Sequence, residues 1–302
     1  MSTIIPLIPP YKKRPLPEEK PKSLGTTLEG YYGTIVMTFT FRTTILVGAV
    51  LQSLLVLFLP TTLAITPAIV ALGIHFIDAV LVAKGDRPNP YLENKLKKVT
   101  AMVPDADGEF RGPGKEKVAV LLLGAKCNHP MGAFAPKFDD FSQWLTAMIK
   151  GLEDPKSQEN GFLGISPWNR TAPNGGTEIV TISYWRSLQD VHNYAHSDEV
   201  HKKAWKWWED NVADLEHIGI MHEVFEAPAG MWEGIYINFQ PMLLGATTFL
   251  KKGDTMIGGS VDDAWISPLV DARKGRLRTS NGRRGQTGKM SDEDVFGKNA
   301  YA

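Results

Sequence analysis

Residues Glu178–Asp210 read EIVTISYWRSLQDVHNYAHSDEVHKKAWKWWED, and the change of period inside them decides the fold class. Glu178 to Trp185 is dense in β-branched and aromatic side chains, the composition of a strand. From Ser187 onward the period lengthens. Leu188, Val191, Tyr194, Ala195, Val200, Ala204, Trp205 and Trp208 recur at three- and four-residue spacing, the stripe of an amphipathic helix. Ser187 with Asp190 three residues on is a variant of the capping box and opens that helix, while Ser197-Asp198-Glu199 is a polar break within it. The unit is strand, tight turn, helix, and it carries Trp185 and Arg186 to the rim of any pocket between a sheet and its helix.

Working outward, Val118–Gly124 reads as an apolar strand, and Phe138–Leu152 as a helix with Phe141, Trp144, Leu145 and Met148 on one face. Gly161–Ile165 is a short strand. His217–Ala227 is a strand in which Ile218, Ile220, His222, Val224 and Glu226 share one face by alternation. The order β-α-β-β-α-β is that of an α+β, ferredoxin-like module whose antiparallel sheet is covered by helices on one face. The other face needs a cover. By fold analogy that is a second copy, which makes a homodimer closed as a dimeric α/β barrel.

Composition excludes several function classes. The 33 basic and 33 acidic residues balance, so there is no general electrostatic footprint for nucleic acid. The single cysteine, Cys127, cannot form an intrachain disulfide and fits a reducing compartment. No CxxC, P-loop or GxGxxG occurs, so a structural zinc, a phosphate cradle and a dinucleotide fold lack support. His192 and His196 lie four apart on one helical face, a spacing open to a metal, but without the HExxH signature ordinary surface histidines are the plainer reading.

Residues 1–37 form a disordered Pro-rich tail by composition. Residues 38–84 hold two apolar runs, Thr43–Leu59 and Leu63–Ala83, joined at Pro60-Thr61-Thr62, each near the length that crosses a bilayer. Basic residues flank the pair on both sides, Lys12 to Arg42 before it and Lys84 to Lys98 after it. The positive-inside bias therefore puts both ends in the cytosol, on a membrane such as the endoplasmic reticulum. A soluble helical hairpin covering an apolar face is the alternative. His75 and Asp78, three apart on the second run, are placed to hydrogen-bond each other, and Asp78 near the run's end can equally reach the interface. Residues 85–114 read as a polar connector in which Tyr91–Val103 is a basic amphipathic piece able to lie on the membrane surface. Residues 115–250 are the module, and 251–302 a C-terminal extension whose Asp271–Ala302 reads as a mobile tail.

The stretches YWRSLQDVHNYAHSDEVHKKAW and HIGIMHEVFEAPAGMWEGIYINFQP resemble a fungal family long catalogued as a domain of unknown function, among dimeric α/β-barrel proteins related to antibiotic-biosynthesis monooxygenases. The resemblance spans about Lys117 to Gly245. It implies a cofactor-independent monooxygenase that tailors a secondary metabolite, with haem aldoxime dehydratases as more distant relatives of the fold.

Such an oxygenase needs an apolar cavity, a base that makes the substrate electron-rich, and donors that hold its oxygen. The strand ends supply these types. Trp168, Asn169 and Arg170 follow the second strand, Trp185 and Arg186 the third, His222 and Glu226 lie on the fourth, and Trp232, Tyr236 and Asn238 come beyond. His222 is the first choice for base, since a strand histidine facing the interior is tuned by burial; a hydrogen-bonded core histidine is the competing reading. Arg186 is placed either to orient an anionic oxygen or to pair with Asp190. His201 is either catalytic or a helix-start histidine. Trp205, Trp207 and Trp208 read as packing more readily than as site. The stretch after Gly234, GIYINFQPMLLGATTF, is expected to cross the mouth of the cavity.

Three functions are compatible with these residues. The first is a membrane-anchored, cofactor-free monooxygenase acting on a lipophilic terpenoid or polyketide. The second is a haem enzyme with His201, His217 or His222 as axial ligand. The third is a non-catalytic scaffold or binding protein of a pathway.

Overall fold

The computed structural model describes residues 39–154, 160–172, 176–250 and 265–286. The expected Pro-rich tail at 1–37 lies outside them.

Two helices come first, α1 (Phe41–Phe58) and α2 (Thr61–Lys84), both long and apolar enough to cross a membrane and with Ala64 their one buried residue. They form a hairpin in which the Gln52 amide donates to the Ala64 carbonyl across the turn at 3.1 Å. Thr40 caps α1 by accepting from Thr43 N–H at 3.2 Å. Asp78 pairs with Arg87 just past the end of α2, so its charge is neutralised from the helix end.

The module follows with the expected order. Strand β2 (Val118–Cys127), helix α3 (Phe138–Glu153), strands β3 (Phe162–Ala172) and β4 (Gly176–Trp185), helices α4 (Leu188–Ser197) and α5 (Glu199–Asn211), and strand β5 (Ile218–Ala227) make one unit. Its four-stranded sheet has order β3-β4-β2-β5 with every neighbour antiparallel, the ferredoxin-like arrangement. Ser187 caps α4 by accepting from Asp190 N–H at 3.2 Å, and its hydroxyl donates to the Asp190 carboxylate at 2.6 Å. The polar break is a true joint. Asp198 ends α4 and also caps α5, accepting from His201 N–H at 2.7 Å.

Cross-strand partners point to the same face of an antiparallel sheet. On the helix-covered face Ala119, Phe162 and Trp185 pack with Leu152, Val191 and Tyr194 in one apolar cluster. Ala125, Cys127 and Ile218 pack with Phe138, Phe141 and Leu215 in another.

The opposite face is half covered, by the chain's own flanks. Strand β1 (Leu96–Ala101) lies between β6 (Tyr236–Phe239) and β9 (Leu269–Asp271) in a three-stranded sheet. A short pair, β7 (Phe249–Leu250) with β8 (Trp265–Ile266), stands beside it. Val99, Ala101, Val103, Leu244, Phe249 and Leu269 bury Val118 and Leu163 from that side. Two expectations change here. Tyr91–Val103 is not a membrane-surface piece, because its alternating apolar side chains Val99 and Ala101 are better buried as a central strand. Nor is Asp271–Ala302 a tail throughout: residues 265–286 end in helix α6 (Ser280–Arg283), where the buried Arg283 guanidinium meets Glu233 at 3.0 Å and donates to the carbonyls of Leu277 and Arg278. Few large apolar residues are needed when a partly buried ion pair and backbone bonds hold the segment.

Candidate functional site

The helix-covered face is laid out in rows across the strands. Glu226, Ala119 and Trp185 form one, Val224, Leu121 and Ser183 the next, then His222, Leu123 and Thr181, then Ile220, Ala125 and Ile179. The first two rows feed one apolar cluster and the fourth feeds the other. The row of His222, Leu123 and Thr181 enters neither. Above it, Leu145 and Met148 lie between Phe141 and Leu152 on the same stripe of α3, and both are only half-buried. This level, which neither apolar cluster includes and which ends at the exposed His222 on the β5 edge, is called the gap.

Within the gap, Thr181 is buried and its hydroxyl donates to the Leu123 carbonyl at 3.2 Å. The next residue inward on that face, Ser183, accepts the Trp185 indole N–H at 2.9 Å. His222 is exposed at the edge strand and its ring has no hydrogen-bond partner among the described residues. The burial expected of it is absent because β5 ends the sheet, but its placement on the helix side is as the alternation required. Beside the gap, Tyr194 is buried between Trp185, with ring centroids 5.5 Å apart, and His201, at 5.8 Å.

The other sequence candidates are dispersed. Trp185 is fully buried, edge-on to Phe162 at 5.2 Å, so it is a core residue instead of a pocket rim. Glu226 accepts the Leu188 N–H at 2.8 Å and pairs with Lys117 at 3.2 Å; it closes the first turn of α4, and these bonds hold its carboxyl below the usual glutamate range. Arg186 turns away from Asp190: its guanidinium donates to the Pro104 carbonyl at 2.9 Å and lies 5.9 Å from the Phe249 ring centre. Burial lowers its pKa, with Glu116 and Asp105 opposing. It thereby fastens the connector to the sheet.

Trp232, Tyr236 and Asn238 belong to the opposite face. Trp232 donates to the Glu116 carbonyl at 2.9 Å. Tyr236 accepts the Gly245 N–H at 2.9 Å, and burial raises its hydroxyl to about 12. Asn238 sits at φ 50° in β6, a left-handed position that asparagine tolerates better than most residues. The stretch after Gly234 therefore packs away from the gap and does not cross its mouth. Trp168 projects from that face too, opposite Val180, whereas Asn169 is on the helix side but exposed. The Arg170 side chain lies outside the described residues.

The histidine readings separate likewise. His192 and His196 stack in parallel, 6.1 Å apart, beside a shallow groove lined by Gln189, Asn193 and Ser197. His196 Nδ1 is bonded to the His192 carbonyl at 2.7 Å. Among the described residues no group of three or more His, Cys, Asp or Glu side chains is arranged to hold a metal. Of the three histidines named for haem, His217 is tied through Nε2 to the Pro136 carbonyl at 2.9 Å, whereas the rings of His201, edge-on to Tyr194, and of exposed His222 have no hydrogen-bond partner among the described residues. Tyr194 and Thr181 were missed by the sequence reading. A tyrosine in a helical stripe and a threonine in a strand look like ordinary packing residues until the burial of their polar atoms is known.

The fold and this gap define an α+β protein with a ferredoxin-like module behind two apolar helices. The Monooxygenase af470-like family model matches residues 118–244, the module and the start of the covering segment. Monooxygenase af470 of Aspergillus fumigatus is 29% identical over 252 residues, which is 82% of this chain and 88% of that protein. These matches support a fungal monooxygenase-like family. Among solved structures, an aldoxime dehydratase aligns with TM-score 0.36 and 18% identity over 49% of this chain, but over only 43% of its own. SnoaB, a cofactor-independent oxygenase from Streptomyces nogalater, aligns with TM-score 0.25 and 12% identity over 35% of this chain and 90% of its own. A putative antibiotic-biosynthesis monooxygenase from Bacillus cereus aligns with TM-score 0.23 and 17% identity over 36% of this chain and 91% of its own.

Proposed function

We propose that the protein is a monooxygenase acting on a lipophilic terpenoid or polyketide intermediate of fungal secondary metabolism, with the substrate held in the gap between the sheet and helices α3–α5. The observation that carries the placement is the row His222, Leu123 and Thr181, the level of the helix side that neither apolar cluster includes. The matched family supports the reaction class.

His222 is the base. Its unengaged imidazole takes the proton from an acidic C–H of the substrate, leaving an enolate that surrenders electrons to dioxygen. The balance closes without an added reductant: a CH₂ group and O₂ become a carbonyl and water, with all four electrons that reduce O₂ coming from the substrate. Leu145 and Met148 supply apolar walls that favour a lipophilic ring system. The module works as a homodimer. Support for this is the uncovered part of its far sheet face, where Trp168, Met221 and Phe225 are 46%, 47% and 57% exposed. Helices α1 and α2 anchor the enzyme in a membrane of the endoplasmic reticulum, with the module in the cytosol, where an anchor concentrates a lipophilic substrate. Their length, apolarity and basic flanks support that topology.

The test is turnover by the purified full chain given the pathway intermediate and oxygen, without added cofactor. A general base contributes about 10²- to 10⁴-fold, so His222→Ala is expected to slow the reaction by that factor, with partial rescue by imidazole. Turnover that needs a reductant or haem refutes the cofactor-free reaction, and an unchanged rate in the variant refutes the role of His222. Metabolite profiles unchanged by the variant in a producing strain favour the scaffold reading.

A further inference from the structure

The burial that takes Val99 and Ala101 away from any bilayer stops short of the turn that leads into their strand. Pro90–Leu92 is one 3₁₀ turn, capped by Asn89, whose side-chain oxygen accepts the Tyr91 N–H at 2.9 Å. Tyr91 and Leu92 stand 82% and 51% exposed on it. The Gln240 amide donates to the carbonyls of Tyr91 and Glu93 at 3.1 and 3.3 Å, so the turn is fastened beside Phe239, itself 47% exposed. Apolar side chains exposed singly are ordinary, whereas three brought together call for an account. Lys95 and Lys97 flank them, exposed and without an ion pair among the described residues.

What lies against this patch follows from the path of the chain. Helix α2 ends on Lys84 with Gly85 in the left-handed region, and the N–H groups of Asp86 and Arg87 both return to the Leu81 carbonyl, at 2.9 and 3.3 Å. Arg87 is thereby held at the last turn of α2. From it to Tyr91 the chain reaches about 14 Å at full stretch, against roughly 5–8 Å for the thickness of one headgroup layer. The patch therefore stays near whatever surface α2 leaves. Between Lys84 and Lys97 the charges are Lys84, Arg87, Lys95 and Lys97 against Asp86 and Glu93, with Arg87 engaged by Asp78. The balance is basic, which suits an anionic lipid surface.

We propose that the Pro90–Leu92 turn and Phe239 form a second contact with the membrane, one that seats the module on an anionic bilayer: Tyr91, Leu92 and Phe239 enter the headgroup layer while Lys95 and Lys97 meet lipid phosphates. This rests on the helical hairpin being inserted. Tyrosine suits that layer because its ring is apolar and its hydroxyl stays wet, and lysine stems cover apolar surface with their ammonium groups in water. A hairpin alone leaves the module free to swing on its connector. The second contact holds the end where Leu96 of β1 pairs with Phe239 of β6 against the lipid and fixes how the module faces the bilayer.

The experiment uses the full chain reconstituted in vesicles of phosphatidylcholine, with and without phosphatidylserine. Cys127 is fully buried, so a thiol introduced on the surface is the one that takes an environment-sensitive NBD label in the native state. Leu92→Cys and Phe239→Cys report the patch, Leu72→Cys reports α2, and Ser142→Cys on the exposed side of α3 is the blank. In vesicles with phosphatidylserine the labels at 92 and 239 are expected to shift to the blue and to be quenched by nitroxide carried on lipid headgroups. The label at 72 is expected to be quenched by nitroxide deep in the acyl chains, and that at 142 by neither. A lysine near an anionic surface is worth roughly fivefold, so Lys95→Gln with Lys97→Gln is expected to lower the ratio of seated to free module about thirtyfold and to restore the emission at 92. Quenching at 72 without quenching at 92 and 239 overturns the proposal and leaves the anchor standing. No quenching at 72 removes the anchor and the second contact with it. A blue shift at 92 without quenching puts protein against the turn and overturns the lipid contact. Quenching at 92 that is equal in the two vesicles and unmoved by the lysine substitutions overturns the role of Lys95 and Lys97.

Discussion

Trp185→Ala separates the core from the site. The sequence places Trp185 at a pocket rim, whereas the structure has it fully buried against Phe162 and Tyr194 with its indole N–H on Ser183. Removing a buried tryptophan costs about 3–5 kcal/mol through lost burial and the cavity left behind. At about 1.4 kcal/mol per tenfold, that is roughly two to three and a half decades in the unfolding equilibrium, a large part of the ~5–15 kcal/mol that holds a typical domain. Cys127 gives the assay. It is the chain's one cysteine, fully buried on β2, with its S–H donating to the Gly132 carbonyl at 3.0 Å. Thiol labelling in the native state therefore reports opening of the module, and its rate in Trp185→Ala should rise by about a hundredfold or more. The change should extend from Trp185 to Cys127 because β2 joins both apolar clusters. An unchanged labelling rate together with an unchanged melting temperature would refute the packing argument.

Phe225→Glu places a charge on the uncovered sheet face and should shift the protein from dimer to monomer in light scattering; a monomeric wild type removes the dimer at once. Arg283→Ala leaves Glu233 without its cation, and because that carboxylate is 31% exposed and can rehydrate, the expected cost is about 2–3 kcal/mol, below the ~3–5 of a fully buried pair. Proteolysis within residues 265–286 should accelerate in the same variant, and an unchanged digestion pattern would remove that segment from the fold. Glu226 titrates below its ordinary value in the folded state because of the Leu188 N–H and Lys117. Its contribution is therefore present above the unfolded pKa and is lost as pH falls through the folded one. Glu226→Gln should flatten the acid limb of stability against pH, and an acid limb as steep as wild type would show that other carboxylates carry it.

Much of the fold was legible before any coordinates. The strand at Glu178–Trp185, the Ser187 cap, the joint at Ser197–Glu199 and the facing of His222 and Glu226 all follow from local rules: side-chain period, capping chemistry and alternation along a strand. So do the two apolar helices, since a run of uncharged residues of that length needs no tertiary partner to be recognised. These features depend on residues near one another in sequence, where steric and hydrogen-bonding preferences are decided locally.

Tertiary structure decided the rest. Leu96–Ala101 looks basic and interfacial alone, and becomes a strand only because β6 and β9, more than a hundred residues downstream, supply its backbone partners. The same pairing turns part of the expected tail into structure and moves Trp232, Tyr236 and Asn238 to the far side of the sheet from His222. Whether Trp185 lines a pocket or fills a core depends on which helix residues descend onto it. The unpartnered hydroxyl of Tyr194 is a property of its surroundings, since a buried polar atom is defined by the neighbours that exclude water and withhold a bond, and those neighbours come from three separate elements of the chain.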